Sequence, residues 1–402
     1  MTYHKRPVAE PLLPAEIMDD VIDQLHFDLK MLGVCGMVCS DWLIRSRYHI
    51  FSTVHLWPSR VRRFFELSHA QECTFTKYVN CIEVDDARAP ENQQQHDRND
   101  FVFHKIISSS LFSRFSHIKA LRIRNVDWTL LPPFEQDRLR DHLASFRELR
   151  SLEFDDVMFH DLREIARITA LFPLQHLVTN VQFSKYMEYT IASAAILTLP
   201  HTLETLRVGT DDAIPALLST QLKALRLNTL ICGDVKFWHL QYIGDALQNL
   251  GDHLRHLRLG FSDREGQWFN NSDIAHLDMS HQKKLQSLHI DGIRLSSRHG
   301  TTCGLELGVS AIISTIPSTN SLKNLTIRVT PDSDLALRSF NWHALERSIT
   351  HRSRCIVNLE VDSTNALTLN ESEVMMYLSG ELMKLWKGER LKLRVGESKC
   401  NC

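Results

Sequence analysis

A short apolar pattern recurs along this chain at intervals of roughly 20 to 37 residues, and it restricts the possible folds more than any other feature. The pattern is apolar, two variable, apolar, one variable, apolar. Near its start it reads Val79-Asn80-Cys81-Ile82-Glu83-Val84, and it returns at 118–123, 149–154, 203–208, 222–227, 254–259, 285–290, 322–327 and 356–361, with a weaker copy at 174–177. The last two apolar positions are two residues apart, as on one face of a strand. Helical patterns lie between copies, at 60–67, 133–146 (Phe134, Leu139, Leu143, Phe146) and 239–250. Strand and helix alternating in this way predict an α/β chain of stacked strand-plus-helix units.

The chain ends differ from this rhythm. Asn370 and Glu373 form a capping-box signature ahead of a helix over 371–387, with Val374, Tyr377, Leu378, Leu382, Leu385 and Trp386 on its apolar side. A last strand over 391–395 is expected to help close the open end. At the N-terminal end, Ile17, Val21, Ile22 and Leu25 recur at helical spacing behind Pro14, which suits a first helical turn. Leu29, Leu32, Cys35, Val38, Cys39 and Trp42 form a second apolar series, interrupted by Gly33 and Gly36. Two or three short helices in about 40 residues make a small core, more stable against a partner or the rest of the chain.

The order of residues in this segment is informative. Leu13-Pro14-x-Glu16-Ile17, then Ile22, Leu25, Leu32, Cys35 and Val38-Cys39-x-x-Trp42, resembles the F-box motif over its full length. The continuation Ser46-Arg47-Tyr48-His49-Ile50-Phe51-Ser52-Thr53-Val54 is similar to the segment after the F-box in many fungal members. Lys30 departs from the acidic residue common there. The resemblance covers about the first 55 residues and implies binding to the S-phase-kinase-associated adaptor and, through it, to a cullin. By family analogy Leu13, Pro14, Ile17, Ile22, Leu32, Val38 and Trp42 form or support that interface. The copies at about 75–365 likewise resemble leucine-rich repeats, in degenerate form and without an Asn ladder. The expected architecture is therefore a short all-helical F-box at 10–57, an irregular leucine-rich-repeat-like α/β solenoid at 58–369, and a capping helix and strand at 370–402.

Within each copy, the residue between the last two apolar positions points away from the core. That column reads Glu83, Arg122, Glu153, Arg207, Arg226, Arg258, His289, Thr326 and Glu360. Its basic middle, Arg207, Arg226, Arg258 and His289, is a candidate substrate-binding stripe for an acidic or phosphorylated segment, since guanidinium groups pair well with carboxylate and phosphate. The plainer reading is that exposed strand positions carry charge.

Enzymatic signatures are missing from the sequence: no GxxxxGK[ST] loop, no GxSxG elbow, no HExxH and no convincing zinc-ligand spacing among the 21 histidines. Acidic pairs at 85–86, 155–156 and 211–212 are read as solvated turns after strands. No cofactor and no metal are expected. The net charge of −2 gives no reason to expect nucleic acid or a membrane surface. The N-terminal residues lack a signal-peptide pattern, and the nine cysteines lack a CxxC pair, so reduced thiols in the cytosol or nucleus are expected. Polar stretches at 85–100, 263–271 and 296–304 are read as loops, and Cys400 and Cys402 as a frayed end. The expected function is substrate recognition in a cullin–RING ubiquitin ligase, without catalysis by this chain. The alternative is a stand-alone interaction scaffold whose N-terminal helices only cap the repeats.

Overall fold

The computed structural model describes residues 14–70, 73–86, 102, 106, 115, 117–184, 198–210, 212–220, 222–261, 271–296, 304–318, 321–350, 355–362 and 369–396. Leu13, the Gln93–95 run, most of the three expected loops, Asp211, Cys400 and Cys402 lie outside these residues. The chain forms two compact units, Met1–Val126 with Pro132–Leu149, and Asp127–Leu131 with Arg150–Cys402.

The first unit begins with helices α1 (Ala15–Gln24), α2 (Leu29–Cys35) and α3 (Ser40–Phe51). Strand β1 (Thr53–Leu56) follows at once, then α4 (Pro58–His69), β2 (Cys81–Asp85), β3 (Ala120–Asp127) and α5 (Pro133–Leu143). Strand β1 pairs with β2 and β2 with β3, both in parallel. Pro58 sits in the first turn of α4, where its missing N–H leaves no bond unmade. Leu139, Leu143 and Phe146 are buried as their spacing predicts, whereas Phe134 is exposed.

The second unit carries β4 (Ser151–Phe159), α6 (Leu162–Thr169), β5 (His176–Phe183), β6 (Thr205–Val208), α7 (Ala213–Leu218) and β7 (Thr229–Val235). It continues with α8 (Leu240–Leu250), β8 (His256–Phe261), α9 (Asn271–Ala275), β9 (Ser287–Leu295), α10 (Gly304–Thr315) and β10 (Asn324–Pro331). Its last elements are α11 (Asp334–Ser339), α12 (Trp342–Thr350), β11 (Ile356–Asp362), α13 (Glu371–Glu381), α14 (Met383–Lys387) and β12 (Leu391–Gly396). From β4 to β12 each strand is parallel to the next.

The α/β class stands, but the expected architecture of a short helical module followed by a solenoid does not. Within each unit the strands pair in parallel in chain order, β1 to β3 in the first and β4 to β12 in the second. Strand β1 falls inside the segment assigned to the helical module, and β12 continues the sheet in register with β11. The sequence hides β1 because it has only four residues and only Leu56 among them is buried.

The core-facing side chains do not alternate strictly. In β4 they are Leu152, Phe154, Val157 and Phe159, and in β9 Leu288, Ile290, Ile293 and Leu295, a two-three-two spacing. The extra residue belongs to a bulge, seen as a register shift between Asp155 and Val157. At the equivalent place the backbone is left-handed: Asn125, Asp156 and Asp234 have φ of 52–53° and Gly292 has 75°. Asn, Asp and Gly tolerate this region best. Asp155-Asp156 therefore sits inside a strand, correcting the reading of it as a turn after one. At Gly292 a Cβ would lie 2.0 Å from the Phe261 carbonyl oxygen, so glycine is required there on two counts.

Two copies of the pattern are displaced. Residues 222–227 are not a strand: Leu222–Ala224 is a 3-10 turn, and Leu225 and Leu227 are buried in the connection to β7. The strand starts at Thr229 because the Glu204 carbonyl accepts from the amides of Asn228 and Thr229. In β11 the register places Asn358, not Glu360, beside Thr326. At the C-terminal end the Asn370–Glu373 capping box is present, with both reciprocal bonds made. The expected continuous helix breaks at Leu382 into α13 and α14, and the buried Glu346 carboxylate accepts from Lys384 N at 2.6 Å at the start of α14.

Candidate interaction surface

Helices α1 and α2 both pack on α3. Their shared interior is small: Ile22, Leu32, Cys35 and Ser46 are the buried residues of the three helices. A polar tie supplements it. The Asp23 carboxylate of α1 accepts from Arg45 Nε at 2.6 Å, again from Arg45 Nη2, and pairs with His49 Nε2 at 2.7 Å, both partners on α3. These hydrogen bonds, the one from Arg45 foremost, hold the Asp23 carboxyl down at about 2. Arg45 is raised in turn by the bond to Asp23. The Asp28 side chain caps α2 by accepting from Met31 N at 3.0 Å.

With so little inside, much apolar surface remains outside. On α1, Ile17 (48% exposed) and Val21 are one turn apart on one face. Phe27, in the turn before α2, is 89% exposed. Leu29, Met31 and Val34 on α2 are exposed, as are Met37 (79%) and Val38 (59%) in the turn before α3. On α3, Ile44 and Tyr48 repeat the one-turn spacing. Soluble surfaces rarely cluster large apolar side chains this densely unless the patch meets something.

The residues singled out by the sequence divide in two. Pro14, Ile17 and Val38 are exposed and available to a partner. Ile22 and Leu32 are fully buried and hold the helices together. Trp42 is half-buried, and its Nε1 donates to Met18 Sδ at 3.1 Å, so it serves the interior as well. The sequence reading missed Phe27, Met31, Val34, Met37 and Ile44. For Met31 and Val34 the signal was present: α2 is apolar on more sides than a core this small can cover.

The expected basic stripe is placed differently. In the second unit the row facing away from the core runs Glu153, Val178, Arg207, Ile231, Arg258, His289, Thr326, Asn358 and Lys392. Arg226 is not in it. It lies exposed in the connection before β7, and Ile231 takes its place beside Arg207. Arg258 and His289 are in the row, yet both face Asp291, with Arg258 Nη2 at 2.6 Å and His289 Nε2 at 2.5 Å. Burial pushes the Asp291 carboxyl up, but these two partners outweigh it and hold the group below the usual carboxylate range. A neighbouring row continues the compensation. Arg328 pairs with Glu360 at 2.8 Å, and Arg394 stands beside Glu360 in register. Arg207 is the one member of the expected stripe on a strand and without an ionic partner among the described residues.

No protein-family model matches this chain, and no curated protein matches it. Among the described residues no three His, Cys, Asp or Glu side chains are grouped to hold a metal ion, and no helix is long and apolar enough to cross a membrane. His239, one of three histidines close in sequence, is buried, and its Nδ1 accepts from Lys236 N at 3.1 Å. Burial pushes the Cys232 thiol up to about 12, which leaves it inert as a nucleophile.

Proposed function

We propose that this chain is the substrate-recognition subunit of a cullin–RING ubiquitin ligase. The N-terminal helices dock the S-phase-kinase-associated adaptor, and through it the cullin, while the second unit holds the protein to be modified. The chain itself catalyses nothing; it raises the local concentration of its bound partner near the ubiquitin-charged enzyme. The observation that supports this most is the dense exposed apolar surface of α1–α3, in the segment that resembles the F-box motif. The cytosol and nucleus are the compartments in which such a subunit would act.

The test is binding of the full-length chain to the purified adaptor, beside an Ile17→Asp/Val38→Asp double variant. Both side chains are exposed, so the variant should fold normally and lose at least tenfold in affinity. Failure of well-folded wild-type protein to bind would overturn the ligase reading and leave an interaction scaffold. Leu32→Ser makes a useful contrast, because it should disrupt the helices themselves.

A further inference from the structure

The second unit has a cleft of about 390 Å³ between the end of α7 and one side of α8, within the size range of small-ligand sites. Ser219 and Thr220 line it from just beyond α7, and Tyr242, Asp245, Gln248 and Asn249 line it from α8. Tyr242, Asp245 and Asn249 fall on one helical stripe, three and four residues apart.

The hydrogen bonds around the cleft determine what it can still bind. The Ser219 hydroxyl donates to the Pro215 carbonyl at 2.6 Å, and the Thr220 hydroxyl donates to the Leu217 carbonyl at 2.6 Å. A hydroxyl has one hydrogen, so both oxygens are left able only to accept. Asp245 is exposed, offers no donor once ionised, and has no ionic partner among the described residues. The two acceptor hydroxyls and the Asp245 carboxylate thus share the cleft with the half-buried ring of Tyr242, a group suited to cations, while the Gln248 and Asn249 amides can present either a donor or an acceptor.

We propose that this cleft takes the guanidinium group of an arginine side chain presented by a partner protein. A guanidinium offers five N–H donors in a plane and no acceptor, which complements one carboxylate flanked by two acceptor hydroxyls better than the three donors of an ammonium. The carboxylate of Asp245 supplies the charge, Ser219 and Thr220 accept further N–H bonds, and the methylene stem occupies the remaining length. This site is remote in sequence from α1–α3 and does not depend on adaptor binding.

The experiment is calorimetric titration of the full chain at low ionic strength with N-acetyl-arginine N-methylamide, its citrulline counterpart and agmatine. Wild-type protein should bind the arginine probe saturably and the uncharged citrulline probe not at all. Asp245→Asn, an exposed and nearly isosteric change, should weaken arginine binding on the order of tenfold, as expected for loss of one charge-assisted hydrogen bond. No saturable binding, equal binding of citrulline, or undiminished binding by Asp245→Asn would each overturn the proposal. Agmatine binding well above that of the blocked arginine would overturn the assignment to a protein partner in favour of a free guanidine.

Discussion

Asp23 and Arg45 join the first and third helices through two hydrogen bonds to one carboxylate, and His49 completes the arrangement from one turn further along α3. In a three-helix segment with four buried residues, this is a substantial share of what fixes the helices in place. Both Asp23 and Arg45 side chains are about one-third exposed (33% and 35%), so solvent screening reduces the tie to about 1 kcal/mol.

Asp23→Asn should therefore increase hydrogen exchange across residues 15–51 about fivefold at neutral pH. The pH dependence follows from the direction of the shift. The Asp23 carboxyl lies at about 2 in the folded chain against an ordinary 3.8, so its contribution is complete above the unfolded value. It fades as pH falls from about 4 towards 2. The difference between wild type and Asp23→Asn should shrink over that window. A difference that grows on acidification would contradict this account.

Gly292→Ala should destabilise the second unit by about 3 kcal/mol, since it combines a left-handed backbone with a clash against the Phe261 carbonyl. Gly251→Ala is the comparison: its φ of 52° and ψ of −133° also suit glycine alone, but nothing lies near the added carbon, so strain alone, roughly 1–3 kcal/mol, is expected, less than at Gly292 where the clash adds to it. Urea unfolding of the two variants measures the contrast. Equal losses would mean that the clash relaxes without cost.

Arg258→Ala removes a partner from Asp291, whose side chain is only 13% exposed, and should cost about 1–2 kcal/mol. Arg207→Ala breaks no ion pair and should stay within about 0.5 kcal/mol. If both changes prove silent in urea unfolding, the charge pairs on this sheet face contribute nothing measurable.

Glu346→Ala should free the start of α14. Its buried carboxylate accepts from the amides of Lys384 and Leu385, at 2.6 and 3.3 Å, and leaving buried donors unmet costs roughly 1–3 kcal/mol. Faster exchange at Lys384 and Leu385, with β4–β6 unchanged, is the expected signature.

The amino-acid sequence by itself determined that strands and helices alternate, where most strands lie, and how the C-terminal helix starts. Each of these follows from local chemistry: an apolar residue at every second position, or an Asn placed to cap a free amide. It also determined the N-terminal helices, through spacing alone. The tertiary structure decided which of their apolar residues are interior. Ile22 and Val38 look equivalent in sequence, but one is fully buried and the other exposed, because three short helices cannot enclose every stripe they carry. Register was likewise a tertiary matter. The leucines at 222–227 fit the strand pattern as well as any copy, yet the Glu204 carbonyl starts the strand at Thr229 and removes Arg226 from the row. Charge was the last such decision. The sequence shows a run of basic residues, and only folding brings Arg258 against the Asp291 that His289 already neighbours on β9, because the two strands are 33 residues apart in the chain at this pair.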